Sequence, residues 1–389
     1  MRERGLTVEV ASINPPDRPK GSLPPIEAAE ADQTYYVKLS GFIAVGFQVL
    51  TVALLNPAVT FRGIRAALHL GGWDLKRKAF AFFYLAEALL VGRWMCSRSL
   101  SHLHVHFGGP VATVGMLTAQ AWLIPWSLTL HGPDEFFDQE AFYLREKIES
   151  ACFVVCISDF CRSQVLRIVP DLTDDRLEVV RLGVDYSVLQ PLIPSSISNS
   201  KVAESHPLQL VCTGRMVAAK GHRILLEALA LLFADGVRFS CVLIGDGPER
   251  HSLESLCKHL NIAEYVQFLG AMAHQPTLSK VAQSEVFVLA SFAEGLPVAL
   301  MEAMALGIPC VSTTIAAIPE LIRDQENGLL VPAANVEALH AALDRLANDP
   351  ELRHQFGQEA RATVEMHYNL ARNLDLLAEM WSRRLSDSQ

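Results

Sequence analysis

From about residue 101 onward the chain alternates short, continuous apolar runs with longer segments of helical period. The runs fall at 102–107, 127–130, 153–157 and 178–182, each with at least one β-branched residue. Such runs suit strands covered on both faces, as in a parallel sheet. Residues 6–11 read as one more strand. The second half is more regular, with strand-like runs at 208–213, 237–245, 266–270, 286–290, 310–313 and 328–331. Helical patterns lie between them, among them Leu225, Leu226, Ala228, Leu229, Leu231 and Leu232, and a later one over 337–347. Six strands alternating with helices predict a doubly wound parallel sheet, whose ligands bind beyond the carboxyl ends of the strands. Between the halves, 191–207 is rich in Pro and Ser, holds an Asn and a Lys, shows little period, and reads as a linker.

Two apolar stretches precede this pattern: 39–55, which contains Gln48, and 79–95, which contains Glu87 and Arg93. Each falls short of the roughly 20 apolar residues that a bilayer requires. They read as buried or half-buried helices, with a surface helix resting on a membrane as the alternative. The start, Met1-Arg2-Glu3-Arg4, runs into a polar, proline-rich stretch and is not the pattern of a secretory signal.

Composition narrows the partners. Half the residues are apolar, and the net charge is −9, which argues against a nucleic-acid surface spread over the molecule. A local basic pocket for a phosphate remains compatible. The eight cysteines form no Cys-x-x-Cys pair, and Cys152, Cys156 and Cys161 are poorly spaced for zinc. Most read as small core residues in a reducing cytoplasm, and no metal site is expected.

The chemistry is concentrated after the strands of the second half. The first run ends Thr213-Gly214-Arg215, and Lys220-Gly221-His222 then opens a helix. Arg215 and Lys220 suit a clamp on a diphosphate, although two solvated surface cations is the plainer account of this segment by itself. The second run ends Gly245-Asp246-Gly247-Pro248, a tight turn that admits a ligand or is simply a turn. After the fourth run, Glu294-Gly295-Leu296-Pro297 leads into a helix ending at Gly307. The amides of Gly295 and Leu296 point at whatever lies before that helix, where its dipole favours an anion. Glu302 sits inside an otherwise apolar helix and needs a polar partner, either ligand hydroxyls or a core hydrogen bond.

Taken together these motifs resemble retaining glycosyltransferases of family 4. The likeness is carried by Glu294-x7-Glu302, Gly214-Arg215 with Lys220-Gly221, Gly245-x-Gly247-Pro248, Leu182-Gly183-Val184-Asp185, and Leu128-Thr129-Leu130 leading into His131-Gly132. Within that family His104-Val105-His106-Phe107-Gly108-Gly109-Pro110 and His131-Gly132-Pro133-Asp134 are similar to enzymes of exopolysaccharide and colanic-acid assembly. The resemblance implies an α/β chain of GT-B fold, with two Rossmann-like lobes facing across a cleft. It implies an acceptor-side lobe over 1–190, a linker over 191–207, a nucleotide-sugar lobe over 208–365, and a helix over 366–389 packing back on the first lobe. The family begins with a strand, a Gly- or Ser-containing loop and a helix. Here Arg2–Arg4 resembles the end of that helix, with Gly5 as its C-cap. The first strand of the N-lobe is therefore expected to be missing.

By resemblance, Arg215 and Lys220 hold the donor diphosphate, and Gly245 and Gly247 belong to the donor site. Glu294 contacts the donor sugar, Gly295 and Leu296 offer amides, and Glu302 holds the ribose. His131 faces the reacting sugar, while His104 and His106, which share one strand face, are structural. The implied function is metal-independent, retaining transfer from a nucleotide-diphosphate sugar to a saccharide or lipid-linked saccharide acceptor in exopolysaccharide biosynthesis. The implied place is the cytoplasm, with peripheral contact at the inner face of the cell membrane, and no nucleic acid is involved. The rivals are a non-catalytic partner protein of the same fold and another GT-B enzyme, such as a nucleotide-sugar epimerase. A dinucleotide enzyme would need Gly-x-Gly-x-x-Gly and a later acid, which this chain lacks.

Overall fold

In the computed structural model, residues 1–16, 21, 23, 25–39, 41–71, 73–192 and 206–386 are described. Most of the expected linker, 193–205, lies outside them. The chain divides into two units: the first comprises Met1–Ile157, Cys161–Val180 and Leu376–Gln389, the second Ser158–Phe160 and Arg181–Asp375. The first unit therefore ends at 180 rather than 190. Arg181 pairs with Asp159 and Glu320, and the isolated bridge of Val184 with Asn369 ties the next residues to the second unit as well. The expected C-terminal helix, 366–389, is divided between the units at Asp375.

The first unit contains β1 (Ala11–Ser12), α1 (Pro25–Gln33), β2 (Tyr35–Tyr36), α2 (Phe42–Leu55), α3 (Pro57–Gly71), α4 (Leu75–Ser97), β3 (Leu103–His106), α5 (Pro110–Trp122), β4 (Trp126–Leu130), α6 (Asp134–Phe137), α7 (Leu144–Ser150) and β5 (Phe153–Cys156). Of α8 (Asp159–Ile168), all but the first turn belongs here, as does β6 (Leu177–Val179). Its main sheet is parallel in the order β3-β4-β5-β6, without reversal. The expected strand at 6–11 does not form. Its alternating residues find no sheet neighbour until Ala11 and Ser12, which pair with Tyr35 and Tyr36 in a separate two-stranded sheet. Arg2–Arg4 form a single 3-10 turn closed by Gly5 in the left-handed conformation. The two apolar stretches become α2 and much of α4. Asp74 caps α4 by accepting from the Lys76 and Arg77 amides.

The second unit holds α9 (Tyr186–Leu189), β7 (Leu208–Thr213), α10 (His222–Ala234), β8 (Phe239–Ile244), α11 (Arg250–His259), β9 (Val266–Gly270), α12 (His274–Ala282), β10 (Val286–Leu289), α13 (Val298–Ala305), β11 (Cys310–Thr313), α14 (Ile318–Leu321), β12 (Leu329–Val331), α15 (Val336–Asn348), α16 (Pro350–His367) and the first turns of α17 (Leu370–Ser386). All six strands are parallel in the order β12-β11-β10-β7-β8-β9. Alternate β7 residues Leu208, Leu210 and Cys212 join one core with α10, α11 and α15, while Val211 is buried on the opposite face. Burial on both faces is why this strand reads as an unbroken apolar run. The order reverses between β7 and β10, where the next strand in sequence departs to either side. That crevice is where a doubly wound sheet presents its ligand site.

The later turns of α17 lie on the sheet of the first unit, with Met380 and Trp381 against Phe153 and Val155.

Candidate active site

At the switch point the loops after β7 and β10 meet through their backbones. The Phe292 and Ala293 amides donate to Ala219 O at 2.7 and 3.3 Å. Gly221, at φ +64°, runs so close beneath the second loop that a Cβ there would lie 1.9 Å from Ala290 O. No other residue fits. The contact sets Lys220 against Glu294, with Nζ donating to Oε1 at 2.7 Å, while Ser291 Oγ donates to the same oxygen at 2.6 Å. Glu294 is only 7% exposed, so a charged partner is required. Its Oε2 accepts no hydrogen bond among the described residues. Arg215, beside them, is exposed and makes no ion pair or side-chain hydrogen bond among the described residues. Of the two expected cations, one is thus already paired and the other is open.

Gly245 and Gly247 are explained by packing. A Cβ would lie 2.0 Å from Gly214 O at the first and 2.3 Å from Met216 O at the second. The loops after β7 and β8 are then sewn together by Met216 N to Asp246 O and Glu249 N to Met216 O, at 2.9 and 3.1 Å.

The helix after β10 begins at Val298, one residue past Pro297. Among the described residues the amides of Gly295, Leu296, Val298 and Ala299 have no acceptor, so the positive end of α13 is open. Glu302, half-buried one turn further on, meets His274 Nε2 at 2.6 Å. The partner is thus a surface histidine, its side chain 63% exposed, and not a core group. Sequence reasoning did not single out His274 or Ser291. Neither belongs to a motif: Ser291 lies three residues before its acid in the same loop, and His274 is recognisable only once the fold sets it beside Glu302.

In the first unit His131 follows β4. Its Nε2 lies 3.2 Å from His106 Nδ1, and its ring stacks on Phe107 with centroids 4.2 Å apart. Burial, and then His106, push its pKa down to about 4, so the ring is neutral at pH 7. His104 hydrogen-bonds Ser127 and Thr129 at 2.8 Å each and meets the Trp381 ring edge-on. Beneath them is a residue the sequence reading missed. The buried carboxylate of Glu135 accepts from Gly108 N at 2.5 Å, His131 N at 2.8 Å and Gly132 N at 2.6 Å. The fully buried Lys147 donates to Gly108 O and Gly109 O at 2.7 and 2.8 Å, and burial pushes its pKa down to about 7. An acid four residues past a strand-end histidine, in the first turn of a short helix, is the signal that could have found Glu135.

Glu135→Ala orphans three amides at once. The first unit is expected to lose more than about 3 kcal/mol of stability, at 1–3 kcal/mol for each unsatisfied group. All five tryptophans, Trp73, Trp94, Trp122, Trp126 and Trp381, lie in the first unit. Urea unfolding followed by tryptophan emission therefore reads that unit alone. An unchanged midpoint would contradict the clamp.

The same emission tests the histidines. Burial lowers the pKa of both His102 and His131 to about 4. Between about pH 6.5 and 4 these two histidines then bind more protons in the unfolded chain than in the folded one. Stability of the first unit is expected to fall as pH drops through this window. A midpoint in urea that stays level from pH 7 to 5 would overturn this.

Comparison with known proteins gives this arrangement a context. Residues 196–363 match the family described as glycosyl transferases group 1. The chain is 33% identical over 204 residues to a protein named for colanic acid biosynthesis, the glycosyltransferase WcaL of Escherichia coli; the match covers 50% of this chain and 48% of that one. It is 30% identical over 215 residues to the amylovoran biosynthesis glycosyltransferase AmsK of Erwinia amylovora, covering 54% and 51%. The chain thus spans about half the length of these relatives. Among solved structures it resembles sucrose-phosphate synthase from Thermosynechococcus elongatus, with TM-score 0.67, 20% identity and 78% of each chain covered. It also resembles Anabaena Alr3699/HepE in complex with UDP and glucose, with TM-score 0.65, 18% identity and 76% and 81% covered. The fold is GT-B, with two Rossmann-like α/β units.

Proposed function

From a glycosyl transferases group 1 domain over 196–363 and a GT-B fold, we propose that this chain is a retaining glycosyltransferase. It moves a sugar from a nucleotide-diphosphate sugar to a saccharide acceptor. The product is an exopolysaccharide, a reading supported by the names of WcaL and AmsK, and the acceptor is lipid-linked. Its place is the cytoplasmic side of the cell membrane.

One observation carries the reading. The Lys220–Glu294 pair lies at the switch point of the sheet, with Arg215, unpaired among the described residues, on the same loop after β7 as Lys220, and Glu294 on the loop leading to a helix whose first amides have no acceptor among the described residues. Arg215, Lys220 and the α13 amides hold the diphosphate. As the bond from the anomeric carbon to the diphosphate oxygen breaks, that oxygen takes the electron pair, and these donors stabilise the growing charge. The acceptor hydroxyl bonds to the anomeric carbon on the face just vacated, and its proton passes to the leaving diphosphate. Glu294 Oε2 receives a hydroxyl of the donor sugar, and Glu302 holds the ribose in place of His274. With the positive charge coming from side chains and a helix end, no divalent ion is needed.

The test is a panel of UDP-, GDP- and dTDP-sugars offered with lipid-linked acceptors, with and without EDTA. Transfer that survives EDTA is expected, with the product keeping the donor's anomeric configuration. Nucleotide binding without transfer across the whole panel would favour a partner protein of the same fold. Activity lost in EDTA and restored by magnesium or manganese would overturn the metal-free mechanism.

A further inference from the structure

The helices before β3 use only part of their apolar surface for packing. On α2, Val52 is buried and faces α4, whereas Ile43, Phe47, Leu50 and Leu54 are 93, 72, 56 and 72% exposed. Their spacing of four, three and four residues places them on one helix face. On α3, Phe61 and Leu68 are likewise exposed, and at the α3–α4 turn Trp73 and Leu75 are 99 and 80% exposed. Residues 39–83 hold fourteen of the twenty-six exposed large apolar side chains among the described residues, so this is a concentrated face and not the usual scatter.

Charge says what covers it. Residues 38–98 carry eight lysines and arginines against Asp74 and Glu87, within a chain whose net charge is −9. Exposed Arg65, Lys76 and Arg77 lie within or next to the apolar positions, and Lys78 Nζ lies 5.8 Å from the centre of the Trp73 ring. An apolar helix face rimmed by cations and a tryptophan fits an interface with anionic headgroups. A second copy fits poorly, because a two-fold pairing would set one positive patch against another. Nor is the geometry that of a span. The 14 residues of α2 are too few, and α2 meets α3 at a bend of 111°. Although α4 is long and apolar enough to cross a bilayer, half of that stretch is buried within the protein.

We propose that the exposed faces of α2 and α3, with the turn at Trp73–Leu75, dock this chain on a bilayer containing anionic lipid. The apolar side chains enter the acyl boundary, and Arg65, Lys76, Arg77 and Lys78 meet the headgroup phosphates. The proposal does not depend on the transferase reading. It is tested with the full chain, on vesicles of phosphatidylcholine alone or mixed with phosphatidylglycerol, by flotation and tryptophan emission. Binding to the anionic vesicles is expected, with a blue shift lost in Trp73→Phe and affinity at least roughly tenfold higher than for neutral vesicles. Phe47→Asp with Leu54→Asp should reduce binding about tenfold or more while circular dichroism and UDP affinity without lipid stay unchanged. Lys76→Glu with Arg77→Glu should remove the preference for anionic lipid. No binding to either vesicle, binding indifferent to both pairs of substitutions, or a dimer in solution that Phe47→Asp dissociates would overturn the proposal. UDP calorimetry without lipid reads the donor site separately, so failure of one reading leaves the other standing.

Discussion

Lys220→Ala is expected to weaken binding of UDP or GDP, whichever the unaltered chain takes, by about 10- to 150-fold. The figure is the 1.5–3 kcal/mol of a charge-assisted hydrogen bond, converted at 1.4 kcal/mol per factor of ten. A second effect follows from the pairing at 2.7 Å. Without the ammonium, the buried Glu294 carboxylate keeps only Ser291 as a donor among the described residues, so the second unit should also lose stability. Arg215→Ala separates the two effects. Arg215 is exposed and unpaired among the described residues, so its loss should weaken nucleotide binding over the same range and leave stability alone. Isothermal calorimetry with UDP and GDP, paired with circular-dichroism melting, reads both. Unchanged affinity in both variants for every nucleotide the original chain binds would remove these cations from the site.

Glu294→Gln should instead depress turnover by about 10²–10³-fold, the range seen when one preorganised electrostatic partner is removed from a reacting centre. The amide oxygen still accepts from Lys220 and Ser291, so the loop stays in place. The negative charge is gone, and Lys220 is no longer neutralised. Nucleotide-diphosphate affinity should therefore hold or rise while kcat falls. If affinity and kcat fall together, Glu294 serves binding or loop geometry only. Turnover equal to that of the parent enzyme would take it out of the reaction altogether.

Both predictions rest on a pairing the sequence could not state. Arg215, Lys220, Glu294 and Glu302 were legible as motif residues, and the runs at 208–213, 266–270 and 310–313 coincide with β7, β9 and β11. Strands buried on both faces leave a continuous apolar record, which is why the second unit read well. What periodicity does not carry is lateral strand order, and only the order β10-β7 brings Lys220 to Glu294. The alternation at 6–11 misled for the same reason. A strand needs a neighbour, and among the described residues Leu6 to Glu9 have none, the pairing starting only where Val10 O accepts from Tyr35 N at 2.9 Å. Glu135 escaped notice because its partners are amides, and an amide leaves no mark in a sequence.

That choice of partners has a consequence for how such a molecule can diverge. The carboxylate grips the loops after β3 and β4 at Gly108, His131 and Gly132 by main-chain N–H, and Lys147 grips Gly108 and Gly109 by main-chain carbonyls. Every residue type except proline offers the same N–H. The side chain at His131 can therefore be exchanged with the path of the backbone preserved, and that at Phe107, where φ is +67°, among residues that accept the left-handed region, much as reading loops are varied on a fixed scaffold. Libraries meant to redirect ligand preference would randomise those positions and hold Glu135 and Lys147 constant. A library that included the acid would mostly sample collapsed loops.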